Sequence, residues 1–407
     1  MRILVANEAR AGGGGVETYL ASLVSGLEAR GHETALLYAN SAADEGPTRI
    51  ATRDAWSVAD SGFERAAAAV RAWRPDVCFS HNMRLLEVDE ALAAEWPTFK
   101  MMHGYFGACV SGHKAFSFPT RQPCPRICGP GCLVYFLPRK CGQLRPDVMA
   151  AQYSWARRQQ RLFGRYAGVI VASDHMRREY LRYELPERRV HTIPLFADTR
   201  AERGAGVPAS ERVGGFGGQS PPIDIDIDVL FLGRMTPLKG PRELLHAVRH
   251  AARSLGRPLH VVLAGEGPDR PDLEQLVQES RGSMIASFPG WVDASARAAL
   301  LSRAALVAIP SIWPEPFGLV GLEAAQFGVP AVAFDVGGIG QWLTHDVNGR
   351  LADLGGGPAA LGDVIASVLA DDALRMRLSA GACEAARHFS RDAHMTRLEH
   401  VLFDDKK

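Results

Sequence analysis

The sequence predicts an α/β protein made of two Rossmann-like, doubly wound domains, and three observations carry that prediction. The N-terminus reads strand, glycine-rich turn, amphipathic helix, strand. Past residue 223 a second series of buried strands alternates with helices, which is the pattern of a parallel sheet. Between the two, Arg200 to Pro222 is rich in Gly, Ala, Ser and Pro and reads as a linker. The 407 residues suit two domains of roughly 200 each, and a hydrophobic content of 47% can fill two cores.

In the first domain (residues 1–199), Arg2 to Asn7 is a strand that runs into Gly12, Gly13, Gly14 and Gly15. Val16, Leu20, Leu23, Val24 and Leu27 then recur at helical spacing until Gly31, and ETALLYA follows as the next strand. The glycine spacing is not that of a dinucleotide fold, and no acid closes the second strand to hold a ribose. DVCFSH and TFKMMHG are further strands. The second ends at His103, where a parallel sheet places ligand-facing residues, although a lone His is also an ordinary structural residue. Cys124, Cys128, Cys132 and Cys141 crowd an insertion at about 109–145. They read either as a structural zinc site or as free or paired thiols. From Met101 to Arg189 there are fifteen Lys or Arg against five Asp or Glu, densest at Gln152 to Tyr166. That is either a solvated basic face or a surface for acidic lipid or an anionic acceptor.

In the second domain (223–385), IDIDIDVLFLG is a strand whose Asp224, Asp226 and Asp228 alternate with Ile as one polar face does. ALVAIP is a buried strand leading into SIWPEPFGLVGLE, in which Gly318 opens a helix ended by Gly328 and Pro330. The start of that helix is a seat for phosphate, with Glu315 before it and Glu323 within it, up to roughly 12 Å apart by helical rise. That reach suits a nucleotide-sugar with its diphosphate in the middle. Residues 386–407 are expected to be a closing helix packed on the first domain.

The stretch WPEPFGLVGLEAAQFGVPAVAFDVGGIGQWL closely resembles the donor site of retaining glycosyltransferase family four, whose hallmark is two glutamates separated by seven residues. The resemblance implies a GT-B fold, with two Rossmann-like domains facing a central cleft. It implies that Arg234 and Lys239 grip the donor diphosphate, that Glu315 holds sugar hydroxyls and that Glu323 holds ribose hydroxyls. Pro316, Phe317, Gly318 and Leu319 belong to the donor site. Gly13, Gly14 and Gly15 face the donor phosphates, Trp291 and Val292 border the base, Gly265 lines the cleft, and His103 lies by the donor sugar. The expected reaction moves a sugar from a UDP- or GDP-sugar to a sugar, lipid-linked or small-molecule acceptor, with retained configuration and without a catalytic metal. The Asp-x-Asp series also marks metal-dependent GT-A transferases, a reading rejected because the acids belong to a strand face. A GT-B nucleotide-sugar 2-epimerase and a non-catalytic nucleotide-sugar-binding protein are the alternatives. Net charge of +1 gives no reason to expect nucleic acid. The N-terminal apolar run is too short for a signal peptide, and no run approaches the roughly 20 residues of a membrane span. The expected location is cytoplasmic, with a peripheral contact at the inner membrane face as the option the basic stretch opens.

Overall fold

The computed structural model describes residues 1–12, 14–40, 46, 48–142, 144–197, 226–280 and 282–404. Gly13, the linker 200–222 and Asp224 lie outside the described residues. The chain divides into two compact units, one of Met1–Thr120, Cys124–Pro194 and Arg391–Lys407, the other of Arg121–Pro123 and Leu195–Ser390.

The first unit is built on seven parallel strands: β1 (Arg2–Ala9), β2 (Glu33–Asn40), β3 (Asp54–Ser57), β4 (Val77–Ser80), β5 (Thr98–Met102), β6 (Gly168–Val171) and β7 (Val190–Thr192). Their order is β7-β6-β5-β4-β1-β2-β3. The centre is buried on both faces, so Ile3, Leu4, Val5 and Ala6 run apolar without alternation, as parallel strands do. Helix α1 (Gly15–Ala29) crosses from β1 to β2 and buries Leu20, Leu23, Val24 and Leu27. Helices α2 (Leu86–Glu95), α3 (Gly131–Arg139) and α4 (Pro146–Phe163) belong to the same unit. Arg158 of α4 pairs with Glu87 and Glu90 of α2, so the densest stretch of basic sequence is partly neutralised.

The second unit carries six parallel strands: β8 (Ile227–Leu232), β9 (Leu259–Ala264), β10 (Met284–Gly290), β11 (Ala304–Ile309), β12 (Ala331–Phe334) and β13 (Gly349–Ala352). They are ordered β10-β9-β8-β11-β12-β13, the doubly wound arrangement. Asp226 and Asp228 sit at the N-terminal end of β8, where Arg303 holds the first and Arg257 holds the second at 2.8 Å. Their carboxylates are surface ion-pair partners at the edge of the sheet away from the strand ends that bind ligands in such folds. The helix Arg391–Asp404 clusters with the first unit, where Arg30 bridges Glu399 at 2.6 Å and also meets Asp392.

Candidate active site

In an open parallel sheet, ligands bind beyond the carboxyl ends of the strands, at the point where the strand order reverses. In the second unit that point lies between β8 and β11. β8 is followed by Gly233 and Arg234, and the turn after them contains Lys239. β11 ends at Ile309, followed by Pro310, Ser311 and the loop to Glu315. Glu315 is buried, and its Oε1 accepts from Lys239 Nζ at 2.6 Å and from Ser311 Oγ at 2.5 Å. Burial pushes this carboxyl up, but the Lys239 ammonium and the hydrogen bonds from Lys239, Ser311 and Trp313 outweigh it, so the net shift is down and Glu315 stays charged. Lys239 remains partly open to solvent, with its ammonium 5.3 Å from the centre of the Trp313 ring. Arg234 is exposed.

Backbone packing shapes this end of the sheet. A Cβ on Gly265, just past β9, would come within 1.9 Å of the Gly233 carbonyl oxygen, so only glycine lets the two turns touch. Gly318 caps helix α5 (Leu319–Gln326) with a φ of 82°, in the left-handed region that favours glycine. Within α5, Glu323 accepts from Arg297 at 3.0 Å.

The first unit reverses its strand order between β1 and β4. The glycine loop follows β1, with Gly14 and Gly15 exposed at the start of α1. His81 follows β4 and His103 follows β5 on the neighbouring strand. His81 Nδ1 lies 3.0 Å from His103 Nε2, one ring donating to the other. Tyr19 packs edge-on to His103, with 5.5 Å between ring centres. The Tyr19 hydroxyl lies 3.0 Å from His394 Nε2, and His394 Nδ1 lies 2.7 Å from the carbonyl oxygen of Pro194. A carbonyl only accepts, so His394 carries its proton on Nδ1 and accepts from Tyr19 through Nε2. Burial, then the Lys100 ammonium, lowers His103 to about 3; burial first also lowers His394 to about 4 and His81 well below the ordinary range. All three rings are therefore neutral near pH 7. Behind them Lys100 is buried against Asp89 at 2.7 Å, and Asp89 also accepts from Ser80 at 2.5 Å and Tyr166 at 2.7 Å.

A family model described as Glycosyl transferases group 1 matches residues 219–384, and one described as Glycosyltransferase Family 4 matches residues 13–201. The chain belongs to glycosyltransferase family 4. The D-inositol 3-phosphate glycosyltransferase of Xylanimonas cellulosilytica is 39% identical over 177 residues, 42% of this chain and 40% of that one. The α-D-kanosaminyltransferase of Streptomyces kanamyceticus is 30% identical over 224 residues, 53% of this chain and 54% of that one. The matches thus span about half the length of these curated relatives. Among solved structures, HepE of Anabaena in complex with UDP and glucose superposes with a TM-score of 0.69 at 18% identity, covering 99% of this chain and 100% of that one. This likeness establishes the GT-B fold.

In this family 4 chain, several residues singled out from sequence sit at the strand ends as described. Lys239 and Glu315, expected to grip diphosphate and sugar separately, bind each other. Phe317 has its ring in the core, 5.9 Å from that of Phe389. Pro316 is buried, Leu319 and Val292 are half-buried, and Trp291 is exposed. Cys124, Cys128, Cys132 and Cys141 lie close enough, with Cys109, for their charges to act on one another. Hydrogen bonding from Cys128, against opposing burial, brings Cys132 down to about 6, while burial raises Cys141 to about 11. Among the described residues no three Cys, His, Asp or Glu are placed as a metal-ligand set. Sequence reasoning missed His81, His394, Tyr19 and Arg297. Only His81 left a signal, because DVCFSH ends in a histidine just as TFKMMHG does.

Proposed function

We propose that the chain transfers a glycosyl group from a UDP- or GDP-sugar to an acceptor hydroxyl with retention of anomeric configuration. The bond from the anomeric carbon to the diphosphate oxygen breaks, a bond to the acceptor oxygen forms, and the acceptor's proton passes to the departing diphosphate. Negative charge grows on that leaving group, so oriented cations held before the reaction are what the site needs. The observation that carries this reading is the buried Glu315–Lys239 pair at the strand-order reversal of the second unit, with exposed Arg234 beside β8. Glu315 orients Lys239 and leaves its ammonium partly open, a cation fixed without a metal. The helix start at Gly318 adds backbone donors. In the first unit the neutral His103 supplies one hydrogen bond to a sugar hydroxyl, and the glycine loop at α1 receives the donor. Glu323 takes the ribose hydroxyls, with Arg297 holding its carboxylate in place.

One relative is named for D-inositol 3-phosphate, which favours a small polyol phosphate or sugar phosphate as acceptor beside the lipid-linked and polysaccharide classes, and another for kanosaminyl transfer, which favours an amino sugar among the groups transferred. For the cysteines a structural zinc and free thiols are the two readings, the described geometry setting no three of them as ligands, and elemental analysis of untagged protein separates the two. Release of nucleoside diphosphate from a panel of UDP- and GDP-sugars, in EDTA, with the anomeric configuration of the product assigned by NMR, tests the function. Retained transfer in EDTA is expected. A 2-epimerised sugar formed with no acceptor present, or binding with no turnover, would replace it with an epimerase or a binding protein.

A further inference from the structure

Among the described residues, thirteen large apolar side chains are exposed, and seven of them lie between Phe118 and Leu144. Helix α3 is the centre of this cluster. Of its side chains only Phe136 is buried; Leu133, Val134 and Leu137 share the outward face, with Val134 69% exposed. Ile127 and Leu144 flank them. Leaving so much apolar surface in water on one short segment costs stability and marks a contact surface.

The charge around it is one-sided. From Trp96 to Pro146 there is no Asp or Glu, against seven Lys or Arg. Lys100 and Lys114 are buried in ion pairs, but Arg126, Arg139 and Lys140 border the apolar face. Each of these three lies over an aromatic ring: Arg126 over Tyr135 at 4.0 Å, Arg139 over Phe116 at 5.1 Å and Lys140 over Phe118 at 5.2 Å. Apolar side chains at the centre with cations and aromatic rings at the rim match the layering of a bilayer interface, where acyl chains lie beneath anionic headgroups. A nine-residue helix cannot cross a membrane, and none of the described helices is long and apolar enough to do so. A second copy of the chain would set Arg126, Arg139 and Lys140 against the same three cations, while Asp147 and Glu179 nearby are already paired with Arg145 and with Lys114 and Arg182.

We propose that α3 and its flanks dock on an anionic lipid surface, inserting Leu133, Val134 and Leu137 below the headgroups while Arg126, Arg139 and Lys140 stay among them. This holds whether or not the transfer reaction does, and its test involves no substrate. The full chain is floated with vesicles of phosphatidylcholine alone and with vesicles in which about a third of the lipid is phosphatidylglycerol. Binding to the anionic vesicles is expected, weakened by salt. Val134→Asp with Leu137→Asp should lower it by at least about tenfold. Arg139→Glu with Lys140→Glu should remove the preference for anionic lipid. All four positions are at the surface, so circular dichroism should show both variants folded. Equal binding to neutral and anionic vesicles, no binding to either, or undiminished binding by the aspartate variant would overturn the proposal. So would a lipid-free dimer that the aspartate variant converts to monomer, since a second copy would then cover the face.

Discussion

The two units solve the same topological problem with opposite electrostatics. Each places its polar set where a parallel sheet reverses its strand order. In the second unit that set is ionic: a buried carboxylate fixes Lys239, and Arg234 stands exposed. In the first unit the residues at the strand ends are imidazoles held neutral by burial and by the Lys100 ammonium. The difference teaches where charge is wanted. A departing diphosphate needs fixed cations, whereas a sugar hydroxyl needs one oriented, uncharged partner that neither attracts the diphosphate nor ionises in the pH range of the reaction.

The comparison breaks most sharply at the Glu315–Lys239 pair. Lys239→Met leaves Glu315 buried without its cation, a loss of about 3–5 kcal/mol when one partner of a buried pair goes. Both turnover and thermal stability should fall steeply. Glu315→Gln keeps the shape, and turnover should drop by roughly a hundredfold or more while the fold is kept. Steady-state kinetics and calorimetry on both variants check this; near-normal turnover in Glu315→Gln would remove the ionic set from the mechanism.

His103 is the corresponding test in the first unit. His103→Ala deletes the partner of the buried His81 Nδ1, so it should lower the melting temperature as well as transfer, the unpaired buried group costing about 1–3 kcal/mol. Loss of stability therefore does not argue against a role in transfer. His103→Gln separates the two, because its amide can still serve His81. It should restore the melting temperature and still lose about 2–4 kcal/mol of transition-state stabilisation, roughly 30- to 1000-fold in kcat/KM. Full activity in His103→Gln would make the ring a structural brace.

The two sets also differ in how they respond to acid. The unfolded imidazole titrates at 6.5, whereas His103 and His394 titrate in the folded chain at about 3 and 4. Between those values the unfolded chain binds more protons, so stability rises with pH. The contribution is complete above about pH 6.5 and is lost as pH falls toward 4. Glu315 is depressed below the ordinary 4.5, so its contribution is present above that value and lost beneath it. Stability lost between about pH 6.5 and 5 therefore belongs to the buried imidazoles, those of the first unit together with His246 of the second, which burial also lowers. Calorimetry should show the melting temperature falling across that range, less so in His394→Gln; a flat profile would contradict the neutral-imidazole assignment. The smallest effect expected is at Glu323, where Glu323→Gln should raise the donor KM by about tenfold or less, with kcat little changed.

Legibility in the sequence follows the same division. The strands and the residues just past them could be read because each is local: a buried apolar run, then polar residues or glycine. Gly233-Arg234, Glu315 and His103 were all found that way. What could not be read is who pairs with whom. Lys239 and Glu315 are 76 residues apart, and Tyr19 and His394 are 375 apart. The parallel crossovers bring the first pair together and the returning C-terminal helix the second, and no periodicity records either. The direction of the Phe317 side chain was illegible for a related reason. Its neighbours in the chain are at the site, but its ring turns into the core.

The most direct test is calorimetric binding of UDP or GDP, whichever the chain accepts, to the wild type, Arg234→Ala and His103→Gln. If the second unit's cations hold the diphosphate and the first unit's imidazoles do not, Arg234→Ala should weaken binding by roughly 10- to 100-fold, the worth of a hydrogen bond to a charged group. His103→Gln should bind within about twofold of the wild type. Unchanged binding in Arg234→Ala together with lost binding in His103→Gln would contradict the division of labour between the two units.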